Sequence, residues 1–215
     1  MTKPVALITG GTMGIGKAVA AQLQQDHQVV VCARHDAGEF TCDVSCAEQV
    51  QDLIYRIIQK YQRLDVLINN AAVYHRSTVV QTTPARWQET LAINLNGVFH
   101  CCHYALPQMR QQNYGRIVNL TSYIVKYASP ERAAYSVSKL GVIGLTQVLA
   151  KEESDYNIKI NAVCPGACQT RMDVEHKAVR TPETAAQEIC QLARLPASGP
   201  TGRCFKDNKE WQISM

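Results

Sequence analysis

The run Pro4-Val5-Ala6-Leu7-Ile8-Thr9-Gly10-Gly11-Thr12-Met13-Gly14-Ile15-Gly16 decides how this chain is read. Its opening, Pro4 to Thr9, is a short apolar stretch rich in β formers, which predicts a buried strand. Glycines follow at once, and then helix formers from Lys17 to Gln25. Strand, glycine turn and helix, in that order, make a dinucleotide site. Glycine permits the tight turn and a close backbone approach, and the helix start offers unpaired N–H groups and a partial positive charge to a pyrophosphate. The spacing of Gly10, Gly14 and Gly16 differs from the common G-x-G-x-x-G, and a bare strand-to-helix turn is the other reading of the same glycines.

Outward from that run, strands and helices alternate. Gln28 to Ala33 is a second strand. Where an acidic residue for a ribose hydroxyl is expected stands Ala33, followed by Arg34, a cation able to pair with a 2′-phosphate. This favours NADP (NADPH), with NAD as the alternative because Asp36 is close by. Between His35 and Cys42 there is no room for a crossover helix, so Phe40 to Cys42 is at most a stub of strand. Ser45 and Glu48 have the spacing of a capping box for a helix running to about Tyr61. Leu64 to Asn69 is the next strand and ends in Asn69-Asn70-Ala71-Ala72.

Thr83-Pro84 starts a long helix toward Gln111. It carries Asn94, which is either a buried polar anchor or a site residue. Gly115 to Thr121 is a strand with Ser122 at its carboxyl end, where open α/β sheets bind ligands. An ordinary turn serine is the other reading. Ala133 to about Glu153 is a helix containing Tyr135, Lys139, Gly141 and Gly144, and the two glycines suggest a packed subunit interface. Ile158 to Cys164 runs into Pro165-Gly166. Thr181-Pro182-Glu183 opens a last helix to about Ala193, and Gly199-Pro200-Thr201-Gly202 turns into a strand over Arg203 to Lys206. The alternation predicts an α/β fold, a doubly wound parallel sheet of Rossmann type, in a single domain spanning 1–215.

Tyr135 and Lys139, four apart on a helix, project side by side. A free phenol with a pKa of about 10 is too weak an acid for work at neutral pH. One positive charge at about 4 Å supplies roughly the 4 kcal/mol needed to bring it to about 7, at an effective dielectric near 20. The pair is a proton-transfer device if it faces a cleft.

Hydrophobic residues make up 46% of the 215, charged residues 19%, and the net charge is +4. No basic run is dense enough for nucleic acid, and no segment reaches the roughly 20 apolar residues of a membrane span. The chain reads as cytoplasmic. Nine cysteines, an odd number without a C-x-x-C, argue against a disulfide framework and for reduced, buried thiols. His100-Cys101-Cys102-His103 is the one dense cluster, and its thiols read as the packed face of a helix, with no metal assigned.

Taken together, these motifs resemble the short-chain dehydrogenase/reductase family from Pro4 to the C-terminus, and the tail more loosely resembles its carbonyl-reductase branch. The resemblance makes Gly10, Thr12, Met13, Gly14, Ile15 and Gly16 the cofactor turn. It assigns Asp43 and Val44 to the adenine side and Asn70, Ala71 and Ala72 to the motif after the third strand, Ala72 replacing the usual glycine. It matches Asn94, Ser122, Tyr135 and Lys139 to a catalytic tetrad, and Pro165, Gly166 and Thr170 to a nicotinamide loop. The implied activity is hydride transfer between NADPH and a small-molecule carbonyl or alcohol substrate. Tyr135 would exchange the proton, Ser122 would hold the oxygen, Lys139 would bind the ribose, and Asn94 would position a water. Besides Ala72, two features depart from the family pattern: the helix after the second strand is largely missing, and only Arg171 to Arg180 separates Thr170 from the next helix cap. An open mouth lined by Tyr74, His75, Tyr123 and Tyr127 is therefore expected, with modest selectivity. A homodimer or homotetramer is expected as well. The competing reading is a non-catalytic dinucleotide-binding sensor or scaffold.

Overall fold

Seven strands lie in the order β2-β1-β3-β4-β5-β6-β7 in a computed structural model that describes residues 3–35, 40–127, 129–169 and 180–212. They are β1 (Val5–Thr9), β2 (Gln28–Cys32), β3 (Val66–Asn69), β4 (Gly115–Leu120), β5 (Ile158–Val163), β6 (Cys204–Lys206) and β7 (Lys209–Glu210). All neighbours pair in parallel except β6 and β7. The chain leaves β1 for β2 on one side and returns past it to β3 on the other. Such a reversal opens a crevice at the carboxyl ends of the strands, where these sheets bind ligands.

The helices are α1 (Gly14–Leu23), α2 (Ala47–Tyr61), α3 (Pro84–Leu91), α4 (Gly97–Gln111), α5 (Ile124–Tyr127), α6 (Ala133–Glu152) and α7 (Pro182–Ala193). Alternating side chains along β1 explain why both faces of the sheet are covered. Val5 and Leu7 join a core with residues of α2, α4 and α6, whereas Ala6 and Ile8 join one with α1 and α7. Every residue of β1 is buried, as a strand packed on both faces requires. A buried polar chain sets the position of α6. Asn69 Nδ2 donates to Asn119 Oδ1 at 2.8 Å, and Asn119 Nδ2 donates to Thr146 Oγ1 at 2.9 Å. Thr121 Oγ1 adds a bond to the Lys139 carbonyl at 3.1 Å. Because a buried polar group left unpaired costs about 1–3 kcal/mol, these bonds leave α6 little freedom to rotate.

The expected caps at Thr83 and Thr181 are present, each hydroxyl accepting from an amide three residues on. The stub near Phe40 is a single parallel bridge between Ala33 and Thr41. Four expectations change. The Ser45–Glu48 capping box does not form: Ser45 Oγ donates to Asp43 Oδ1 at 2.7 Å, and Cys46 takes the N-cap position. The long helix is interrupted by a π turn, Ala92–Asn96, between α3 and α4. A hairpin adds β7 through Asp207 and Asn208, both with positive φ, the geometry a tight two-residue turn demands. Finally, α6, with 20 residues and a mean hydropathy of 1.2, is long and apolar enough to cross a membrane, where the sequence reading found no such run. Val142, Leu149 and Ala150 bury part of that apolar surface in the core.

Candidate active site

A cleft of about 1020 Å³ opens at the carboxyl ends of the strands, and its floor begins at the glycine turn. Gly10, Thr12, Met13, Gly14 and Ile15 line it. Gly10 and Gly14 have φ of 64° and 52°, a left-handed backbone that a side chain disfavours. Gly16 sits just behind. A Cβ there would lie 2.5 Å from the Gly10 carbonyl oxygen and 2.6 Å from Asn70 Nδ2. Asn70 holds the turn to the end of β3: its Nδ2 donates to the Thr9 carbonyl at 2.8 Å and the Gly10 carbonyl at 3.0 Å. Thr9 Oγ1 accepts from the amides of Asn70 and Ala71, both at 3.0 Å. Helix α1 starts at Met13 without a side-chain cap, so its first-turn amides lack an internal partner. A side-chain-free backbone cradle before uncapped amides fits a diphosphate.

At one end of the cleft stand Arg34, Asp43 and Val44, and Ala71 and Ala72 continue the wall. Arg34 is exposed at the end of β2. Asp43 Oδ1 accepts from the Ser45 amide at 2.9 Å, which fixes the carboxylate. Gly97 leaves room for Val44, since a Cβ on it would come within 2.7 Å of a Val44 methyl. Asp36 and Thr170 lie outside the described residues.

At the other end are Tyr135 and Lys139, both lining the cleft and nearly buried. Burial pushes the Tyr135 phenol well above its ordinary value, a hydrogen bond with Ser122 pulls it back, and Cys164, Tyr74 and Tyr123 add smaller upward effects. Burial lowers Lys139 to about 8. Its Nζ donates to the Leu120 carbonyl at 2.8 Å and sits 5.8 Å from the centre of the Tyr135 ring. The expected lowering of the phenol by the lysine is therefore not what dominates here. Desolvation outweighs it, and Tyr135 keeps its proton.

Asn94 lies in the π turn and is fully buried. Its Oδ1 accepts from the Val73 amide at 2.8 Å, and its Nδ2 donates to the Val73 carbonyl at 2.9 Å and to Ser138 Oγ at 3.3 Å. The carboxamide is thus a clamp between the loop after β3 and α6. π turns recur at functional sites because they re-aim such groups. Pro165 lines the cleft, and Gly166, with φ of 77°, packs against Arg180. Of the expected mouth residues, Tyr74 and His75 line the cleft, whereas Tyr123 and Tyr127 meet edge to face, their ring centroids 6.2 Å apart.

Sequence reasoning missed Lys17, Ile93, Thr121, Gln169 and Glu183, which also line the cleft. Thr121 and Ile93 were signalled by their neighbours Ser122 and Asn94. Glu183 had no local signal. It arrives because α7 packs on α1, where Gln22 Nε2 donates to the Glu183 carbonyl at 2.9 Å.

The family model for short chain dehydrogenases matches residues 4–180. The chain belongs to the short-chain dehydrogenase/reductase family. Among its curated relatives is the 3-oxoacyl-[acyl-carrier-protein] reductase FabG of Thermotoga maritima, 33% identical over 93% of this chain and 94% of the relative. The corresponding reductase of Synechocystis is 36% identical over 95% of each. A D-beta-hydroxybutyrate dehydrogenase of Cupriavidus necator is 34% identical over 75% of this chain and 69% of its own. The aldohexose dehydrogenase of Thermoplasma acidophilum, solved in ligand-free form, superposes with a TM-score of 0.86 at 28% identity, covering 94% of this chain and 91% of that one. As a short-chain dehydrogenase/reductase, the chain is an NAD(P)-dependent oxidoreductase that transfers a hydride to or from a small-molecule substrate. Nothing in the comparisons favours a non-catalytic sensor.

Proposed function

We propose that this chain is an NADPH-preferring carbonyl reductase, working in reverse as an alcohol dehydrogenase, with Tyr135 as its proton donor and acceptor. The observation that carries the reading is the meeting of Tyr135, its Ser122 partner and Lys139 at one end of the cleft whose other end is the glycine turn. Relatives named for reducing a 3-oxo group and for oxidising a 3-hydroxy group support a ketone or secondary alcohol as the reacting centre. Arg34, at the cleft's far end, supports the preference for NADPH.

Gly10 to Gly16 and the first turn of α1 would hold the diphosphate, Asp43 and Val44 the adenine side, and Pro165 and Gly166 the nicotinamide loop. A dinucleotide bound there supplies the hydride to the carbonyl carbon. The chain supplies the proton and the charge. As negative charge builds on the substrate oxygen, Tyr135 transfers its proton to it, and the Ser122 hydroxyl shares the load. Lys139, held on the Leu120 carbonyl, offsets the phenolate left behind. Asn94 keeps Val73 and Ser138 in place around this group, and it would position a water in a proton relay to Lys139.

The whole chain works as one dinucleotide-binding domain. Its nine cysteines form no disulfide, which suits the reducing cytoplasm. A homodimer or homotetramer is supported by α6, where Val137 and Val148 are 45% and 52% exposed and Gly144 opens onto nothing within 4 Å. Gly141, by contrast, receives Leu95 of the same chain and needs no second subunit.

The test is a panel of aldehydes, ketones and quinones followed by NADPH consumption, with NADH in parallel. Turnover with NADPH faster than with NADH is expected. Tight NADPH binding without turnover of any carbonyl compound would return the sensor reading.

A further inference from the structure

Cys32 is the last residue of β2, Cys42 follows the Ala33–Thr41 bridge, and both line the cleft beside Arg34 and Asp43. The Cys42 amide donates to the Ala33 carbonyl at 2.9 Å, so the two backbones run at hydrogen-bonding distance. Both side chains belong to one buried core, where Cys42 is 2% exposed and Cys32 not at all. Their thiols are hydrogen-bonded to each other. Two sulfurs in contact on the wall of a cleft have a chemistry that hydride transfer does not use.

The contact makes the two sulfurs unequal. The hydrogen bond from Cys32 holds the Cys42 thiol below its ordinary value, against burial and the nearby Asp43 and Asp52. The same bond, with burial, pushes Cys32 well above. A thiolate is the nucleophile, so Cys42 is the sulfur prepared to attack and Cys32 the one that keeps its proton. Cys101 and Cys102, on α4, are pushed up by full burial and are inert by the same rule. The backbone ties the pair to both sides of the adenine end. The Gly10 amide donates to the Cys32 carbonyl at 2.7 Å, and Asp43 directly follows Cys42. A change in the spacing of the sulfurs therefore reaches the glycine turn and the carboxylate together.

Resting on the dinucleotide reading of the cleft, we propose that Cys32 and Cys42 are an oxidation site, a dithiol that hydrogen peroxide converts to a disulfide, closing the adenine end to the dinucleotide. The Cys42 sulfur attacks one peroxide oxygen, the O–O bond breaks, and a sulfenic acid forms as one water leaves. The Cys32 sulfur then attacks the Cys42 sulfur. The S–S bond forms, the S–O bond breaks, and a second water leaves with the Cys32 proton. Two thiols give up two electrons, and one peroxide is reduced to two waters. A disulfide holds its Cα atoms within about 4.4–6.8 Å, so it locks Cys42 onto β2 and fixes Asp43 with it. All nine cysteines are free at rest, which suits a bond made only transiently in a reducing compartment.

The experiment treats the reduced protein with hydrogen peroxide, blocks the remaining thiols with N-ethylmaleimide and maps the peptides. Cleavage after Arg34 separates the two cysteines, so their disulfide shows as two joined peptides. Cys46 shares the peptide of Cys42, and its Sγ donates to Glu48 Oε2 at 3.3 Å, so Cys46→Ser is mapped in parallel. One disulfide, Cys32 to Cys42, reversed by dithiothreitol, is expected. In Cys32→Ser the reaction should stop at the Cys42 sulfenic acid, which dimedone traps. Coupling between two sites is typically about 5- to 150-fold and reciprocal. The disulfide form should bind NADP more weakly than the dithiol by about that factor. Saturating NADP, which is no reductant, should make the pair harder to oxidise to the same extent, a rise of about 20–65 mV in its potential. Peroxide should leave the NADP affinity of Cys42→Ser as it was before treatment. Were Cys32→Ser not to fold, the wild-type map and Cys42→Ser would carry the test. No Cys32–Cys42 link, under peroxide that oxidises glutathione, overturns the site, as does a link through another cysteine in its place. A link with unchanged NADP affinity overturns the closure. A reduced protein that binds neither NADP nor NADPH overturns the dinucleotide reading and the closure with it, while the peptide map still decides the oxidation site.

Discussion

The Lys139 ammonium donates to the Leu120 carbonyl at 2.8 Å, at the last residue of β4. That bond fixes a buried cation 5.8 Å from the centre of the Tyr135 ring, on a carbonyl two residues before Ser122. Burial is also why its ordinary value of 10.5 falls to about 8. A group meant to stay charged thus titrates near working pH.

The sign of the resulting pH dependence follows from that shift. Below about 8 Lys139 is charged and, in the proposed mechanism, would offset the phenolate formed as Tyr135 gives up its proton; above about 8 that help would fade. The rate of carbonyl reduction should fall as pH rises through this value, and Lys139→Arg, which stays charged, should flatten the fall. Stability runs the other way. Between about 8 and 10.5 the unfolded chain holds a proton that the folded chain has released, so stability rises with pH in this window. The size is about 3 kcal/mol over the full shift. Melting curves of the wild type and Lys139→Met across pH 7 to 10.5 read it directly, and equal slopes for both would contradict the assignment.

Tyr135→Phe removes the proton donor and keeps the ring against Tyr74. Loss of about 10²–10⁴-fold in turnover is expected, the usual worth of general acid catalysis. NADPH affinity and melting temperature should change little. Wild-type turnover in this variant would remove the proposed mechanism.

Arg34, which lines the cleft, is the residue proposed to read a 2′-phosphate. Losing a hydrogen bond to a charged group costs about 1.5–3 kcal/mol, or roughly 10- to 150-fold in affinity. Arg34→Ala should therefore lose most of the NADPH advantage while NADH binding stays nearly constant. Titration of both dinucleotides against both proteins decides it, and a wild type that prefers NADH would show the assignment to be wrong.

Gly16→Ala tests the cradle. The new methyl would press on the Gly10 carbonyl and on Gly11 Cα at 2.9 Å, backbone atoms that cannot swing aside. Overpacking of this kind costs about 1–3 kcal/mol, and here the strain falls on the turn itself. Weaker NADPH binding and a lower melting temperature are expected together. An unchanged dissociation constant would mean that the turn has no part in holding the dinucleotide.

What the sequence made legible was local. The strand, glycine turn and helix from Val5 to Leu23, the caps at Thr83 and Thr181, and the side-by-side placement of Tyr135 and Lys139 each depend on residues a few positions apart. What stayed hidden depends on distant partners. Arg132 meets Tyr74 across 58 residues, and Asn94 finds Val73 and Ser138 only because a π turn re-aims it. The capping box at Ser45 failed because Asp43, two residues away, offers the hydroxyl a charged acceptor. A cation about 4 Å from the phenol, at an effective dielectric near 20, would favour the phenolate. The fold instead turns the ammonium to Leu120 and buries the phenol, so that desolvation decides the proton's place.

One face of α6 has the composition expected of a contact between copies of the chain. Val137, Gly144 and Val148 are spaced seven and four residues apart, which puts them on one stripe of the helix. Val137 and Val148 are about half exposed, and the position of a Gly144 side chain is open. The opposite side of α6 carries Lys139, Val142 and Leu149, all buried. A charge at Val148 therefore faces outward in a single copy and leaves the fold nearly untouched, within about 0.5 kcal/mol as for ordinary surface substitutions. Placed in a dry interface between two copies, the same charge meets desolvation without a partner, a cost of several kcal/mol. Val148→Glu should thus shift a dimer or tetramer to smaller species in sedimentation or light scattering, at an unchanged melting temperature in the monomeric range of concentrations. A Val148→Glu protein with the wild-type mass would show that this face of α6 is plain surface, and an oligomer would have to use another part of the chain.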